Sequence, residues 1–98
     1  MKSRGDGKMT PFDATRAWYV LRKLVDEAVR TQSNQYIRND GVSGQAFRID
    51  SGMWTVQVDV THAESIEFTG DDVAEAAAMV WWELCSRMTT LNTEDLAQ

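Results

Sequence analysis

The sequence holds one cysteine and one histidine in 98 residues. A lone Cys85 cannot staple its own chain, so no disulfide framework holds the fold and a reducing compartment is the default expectation. A structural zinc site takes four ligands, usually cysteine and histidine, and here His62 and Cys85 would need several carboxylates beside them. A glycine-rich phosphate loop is also missing. No apolar run reaches the roughly 18 residues of a membrane helix. The longest apolar-rich stretch, Val73 to Cys85, is broken by Glu75 and Glu83. Met1 to Lys8 are polar and lack the apolar centre of a signal peptide. The expectation is a cytoplasmic, non-enzymatic protein with no metal and no cofactor.

What is present fits one small domain. Hydrophobic residues make up 43% of the chain, enough for globular folding. A chain of this length buries roughly 60–65% of its unfolded surface, which supports one modest core. The net charge is −5 and unevenly spread. Residues 1–48 hold nine of the ten lysines and arginines against five acids, and residues 49–98 hold Arg87 against ten acids. Phosphates would be repelled by the second half, which suits a basic protein surface instead. The expected organisation is a flexible tail over residues 1–9, one domain over 10–91 and a second flexible tail over 92–98.

A helix is signalled at Thr10, a good cap, with Pro11 at the first helical position and Asp13 three residues after the cap. Ala14, Ala17, Trp18, Leu21, Leu24, Val25 and Ala28 then recur at three- and four-residue spacings, as one stripe on a helix requires. The pattern stops between Thr31 and Asn34. Tyr36 to Arg38 reads as a short strand, followed by the turn signal Asn39-Asp40-Gly41.

Phe47 and Ile49 alternate with polar residues, as do Trp54, Val56, Val58 and Val60. A two-residue turn at Ser51-Gly52 would set Ile49 opposite Trp54 and Phe47 opposite Val56, which keeps all apolar residues on one face. A three-residue loop of Thr61, His62 and Ala63 would pair Val58 with Ile66 and Val56 with Phe68. The outer face then carries Arg48, Asp50, Thr55, Gln57, Asp59, Ser65 and Glu67, as expected for a sheet covered on one side. Thr69 is the expected cap of a second helix, with Asp71 and Asp72 at the positive end of its dipole. Val73, Ala76, Ala77, Val80, Leu84 and Met88 form its inner stripe, to about Thr89 or Thr90. The predicted fold class is α+β: two helices on one face of an antiparallel three- or four-stranded meander.

Three groups of residues stand out as binding candidates. The acidic group is Asp50, Asp59, Glu64, Glu67, Asp71, Asp72 and Glu75. Its bland reading at Asp71, Asp72 and Glu75 is helix capping, and the spacing lacks the alternating ligands of a calcium loop. The apolar group is Met79 and Trp82, because Trp82 points away from the inner stripe and interfaces use such anchors; the bland reading is burial under the loop from Asn34 to Gly44. The basic group is Arg16, Tyr19, Arg22, Lys23 and Arg30 on the first helix, where a tyrosine among cations could stack a base. There the bland reading is that the ring and the arginine stems cover each other. His62 reads as a polar loop residue and Cys85 as a small core hydrophobe.

Helix, strands, helix is also the order of double-stranded-RNA-binding domains. Those domains grip phosphates with lysines at the start of their second helix, where this chain has Asp71, Asp72 and Glu75, so no RNA-binding role is carried over. By size and charge alone the chain is similar to small phage and plasmid inhibitors, including anti-CRISPR proteins. The functional expectation is an acidic protein-binding module that occludes a basic, nucleic-acid-binding surface of another protein. One alternative is a homo-oligomer joined through the second helix, and another is nucleic-acid binding through the basic face of the first.

Overall fold

The computed structural model describes residues 9–61 and 63–97, with side chains described as far as Arg87. The tail before Met9 and the loop residue His62 lie outside the described residues. Six elements follow in order: α1 (Pro11–Thr31), β1 (Gln35–Asn39), β2 (Val42–Arg48), β3 (Trp54–Val60), β4 (Ile66–Gly70) and α2 (Val73–Ala97). The four strands form one antiparallel sheet in sequential order. Helix α1 packs chiefly over β1 and β2, and α2 over β4 and β3, with the helices touching each other. This is the expected two-layer α+β fold with four strands.

Helix α1 begins as its sequence dictates. The Asp13 amide donates to Thr10 Oγ1 at 3.1 Å and the Thr10 amide to Asp13 Oδ2 at 3.2 Å, a reciprocal capping box. Met9 is buried to 1% exposure in the core and does not belong to a tail. It stands just before the cap, where an apolar side chain fixes the entry angle of the chain. The helix ends at Gln32, whose amide makes the last helical bond to the Ala28 carbonyl at 2.7 Å and whose positive φ of 56° then turns the chain out of the helix. Val20 takes a core position on α1, whereas Trp18 leaves the expected stripe and is 46% exposed.

The β1–β2 hairpin turns on Asp40 and Gly41, both at positive φ, as the tightest hairpin turns require. The β2–β3 register differs from expectation by one residue. Arg48 pairs with Trp54 and Ala46 with Val56, around a three-residue loop of Asp50, Ser51 and Gly52. Gly52 supplies the positive φ of 88° that closes such a loop, and the Ile49 amide donates to the Met53 carbonyl. Phe47 therefore shares the open face with Thr55, and Arg48 sits on the helix side with its guanidinium 5.8 Å from the Trp54 ring.

The reason is steric. A Cβ on Gly44 would lie 2.7 Å from Val20 Cγ1 and 3.0 Å from Leu24 Cδ1, so α1 can sit on β2 only over small residues. Gly44 and Ala46 face the core, and the bulkier Phe47 and Ile49 are turned away. The β3–β4 register is the expected one, with Val58 opposite Ile66 and Val56 opposite Phe68.

Helix α2 is capped by Asp72, whose Oδ1 accepts from the Glu75 amide at 2.8 Å. Thr69, the expected cap, belongs to β4 and exchanges a hydrogen bond of 2.8 Å with Thr55 on the open face. Gly70 makes the turn into α2 possible, because a Cβ there would lie 2.9 Å from the Ala76 nitrogen. The helix continues to Ala97, past the expected end near Thr89 or Thr90.

Candidate functional site

Two amphipathic helices normally close against each other with medium-sized side chains. Here α2 opens with a run of alanines, which leaves the seam between the helices unfilled on its outer side. The result is an apolar groove of about 460 Å³. Its α1 wall is Trp18, Leu21, Arg22, Val25 and Asp26, and its α2 wall is Ala74, Ala77, Ala78, Trp81 and Trp82. The Trp18 and Trp81 rings close one end, with centroids 4.9 Å apart and planes tilted by 53°. That is the range in which aromatic pairs gain beyond simple burial. Beyond this pair a second apolar hollow of about 490 Å³ runs along Pro11, Ala14 and Thr15. Trp82 stands at the groove with 77% of its surface exposed, more than any other large hydrophobic side chain described.

The groove is lined mainly by apolar side chains. Its charged lining is limited to Arg22 and Asp26. Among the described residues no cluster of three or more His, Cys, Asp or Glu could hold a metal. No described helix is long and apolar enough to cross a membrane. The Glu27 carboxyl has its pKa lowered, first by the hydrogen bond from Arg30, and it sits outside the groove. Cys85 is half-buried on α2.

The acidic candidates do not form one patch. Asp50 lies in the β2–β3 turn, and Asp71, Asp72 and Glu75 lie at the same end of the sheet, beyond Gly70. Asp59 and Glu64 lie towards the other end, about 20 Å away along β3, with Glu67 between them on the open face. Several of these groups are occupied locally. Glu75 Oε1 accepts from the Asp71 amide at 2.6 Å, Asp72 caps α2, and Asp59 accepts from Ser65 Oγ. A smaller hollow of about 240 Å³ on the sheet side is lined by Tyr36, Arg38, Ser43, Asp59 and Thr61, among others.

Of the apolar candidates, Trp82 lines the groove, while Met79 is half-buried and is not part of its lining. The basic candidates are distributed. Arg16 pairs with Asp40 at 3.5 Å and lies 5.8 Å from the centroid of the exposed Phe12 ring. Arg30 pairs with Glu27, and Arg22 turns to the groove. Tyr19 is half-exposed. Sequence reasoning missed Trp18, Trp81, Ala74 and Ala78 as a surface. The signal that could have found them is the coincidence of large residues on one flank of α1 with small ones on the facing flank of α2. Searched against protein-family models, curated proteins and solved structures, the chain matches none.

Proposed function

We propose that this chain works by binding a protein through the tryptophan-lined groove of its helix layer, without catalysing a reaction. One observation carries the reading: Trp82, exposed to 77%, stands beside an apolar groove of about 460 Å³ whose far end is closed by two more indoles. Adjacent exposed aromatics around a concave apolar surface are the usual anchors of protein interfaces. The test is a photo-crosslinking residue placed at Ala78, in the groove, or at Tyr36, on the open sheet, in the cells that make the protein. Adducts from Ala78 and none from Tyr36 are expected. Adducts from Tyr36 alone would move the binding surface to the sheet and end this reading.

A second reading concerns the other layer. Residues 32–72, which hold the sheet and its turns, carry seven acids against two arginines. The segments 11–31 and 73–87 hold five acids and five cations. This segregation supports the sheet side as the surface that meets a basic, nucleic-acid-binding protein and shields it from phosphate. Glu64 and Glu67 are both exposed, and replacing them with lysine should weaken such binding and flatten its salt dependence. Unchanged affinity would remove this reading. Direct nucleic-acid binding through α1 has less support, since Asp40 and Glu27 already engage Arg16 and Arg30.

A further inference from the structure

We infer that the occupant of the helix-layer groove is a second copy of this chain, packed back to back about a two-fold axis at Ala78. The inference rests on the reading of the groove as a docking surface and names its partner. Ala74, Ala78 and Trp82 are spaced by four, so they lie one above the other on a single face of α2. All three line the groove or its rim. Ala78 is midway between the small Ala74 and the large Trp82. An α2 laid antiparallel on its own copy about Ala78 therefore puts each Trp82 on the partner's Ala74. Two-fold interfaces demand such self-complementarity, residue by residue.

Charge points to the same partner. The two helical segments that frame the groove carry five cations and five acids, so a second copy meets no net repulsion there. Residues 32–72 carry seven acids against two arginines, which opposes self-association through the sheet. Two helices about 8–10 Å apart and about 31 Å long present a face of roughly 600 Å². A standard interface buries about 800 Å² per partner, so this one is on the small side.

The experiment is the solution mass by sedimentation across a concentration series. The wild type should rise from 11.1 kDa towards twice that mass. Trp82→Glu should stay monomeric with an unchanged circular dichroism spectrum, its self-affinity at least about a hundredfold weaker. In a Cys85→Ser background, Ala78→Cys should form a disulfide-linked dimer on mild oxidation, because residues on the axis meet their own copies. Ala74→Cys in that background should stay unlinked. A wild type monomeric at every soluble concentration overturns the inference, as does a dimer that survives Trp82→Glu. The two readings separate cleanly. A monomer that still crosslinks another protein from Ala78 in cells loses the second copy and keeps the groove, and a monomer that crosslinks nothing loses both.

Discussion

The outer surfaces of the two layers are finished in opposite ways. On the open face of the sheet, polar side chains bond to one another across the strands. Gln45 donates to Gln57 at 2.8 Å, Thr55 and Thr69 share a bond, and Ser65 donates to Asp59. Thr55 is only 3% exposed there, beneath its neighbours. On the outer face of the helices, Trp82 stands more than half exposed at an unfilled groove, and Phe12 and Val29 are more than half exposed elsewhere on α1. Usually both outer faces of such a domain are polar. Tyr36 and Ile49 are exposed on the sheet face as well, so the difference lies in the cross-strand polar bonds of one layer and the apolar groove of the other.

The largest effect should come from the core the layers share. Leu24 is fully buried between α1 and the sheet, and Leu24→Ala should cost about 3 kcal/mol by urea denaturation. A loss under about 1 kcal/mol would mean the layers are packed loosely and the contrast between their surfaces is overstated. Asp72→Ala should cost about 1 kcal/mol, because the α2 cap is lost. Asp71→Ala tests the same end of α2 by contrast and should cost less, since Asp71 contributes its backbone amide to the local bond. Trp82→Glu should change the stability of the folded monomer by no more than about 0.5 kcal/mol, as for other exposed positions. A large loss would place Trp82 in the fold and remove the asymmetry between the faces.

The smallest effect is electrostatic. The Glu27 carboxyl has its pKa lowered, first by the hydrogen bond from Arg30. A lowered pKa in the folded state means the pair stabilises above the ordinary glutamate range. That contribution is lost as pH falls through the lowered folded value. Glu27→Gln should therefore differ slightly from wild type near neutrality and converge with it in acid. A difference that persists in acid would assign the effect to packing.

Much of the fold was legible because it is written in short-range chemistry. Thr10, Pro11 and Asp13 announce α1, Asp40-Gly41 announces a hairpin, and the alternation of β3 and β4 fixes their register. The errors arise where tertiary packing decides. The largest apolar residues of β2 looked like its core face, yet the close seat of α1 selects Gly44 and Ala46. Val20 outcompetes Trp18 for the core because an indole fits the seam and not the layer beneath it. The position of Trp82 opposite the inner stripe marked it in the sequence, but whether a loop covered it was open until the fold showed it 77% exposed. The groove beside it was not legible, because it requires two helices to be placed together. The acids looked like one surface along the sequence and are separated by the length of a strand.

Gly44 has a further consequence for the groove it never touches. Val20 and Leu24 rest on it from above, while Leu21 and Val25, their immediate neighbours along α1, form the groove wall on the other side of the same helix. A methyl group at position 44 would need α1 or those two side chains to give way by several tenths of an ångström. Any tilt of the helix would be delivered to the Trp18–Trp81 seam. Gly44 thus acts as a shim under a rigid bar, and the aperture on the outside of the molecule is adjusted from the sheet beneath it.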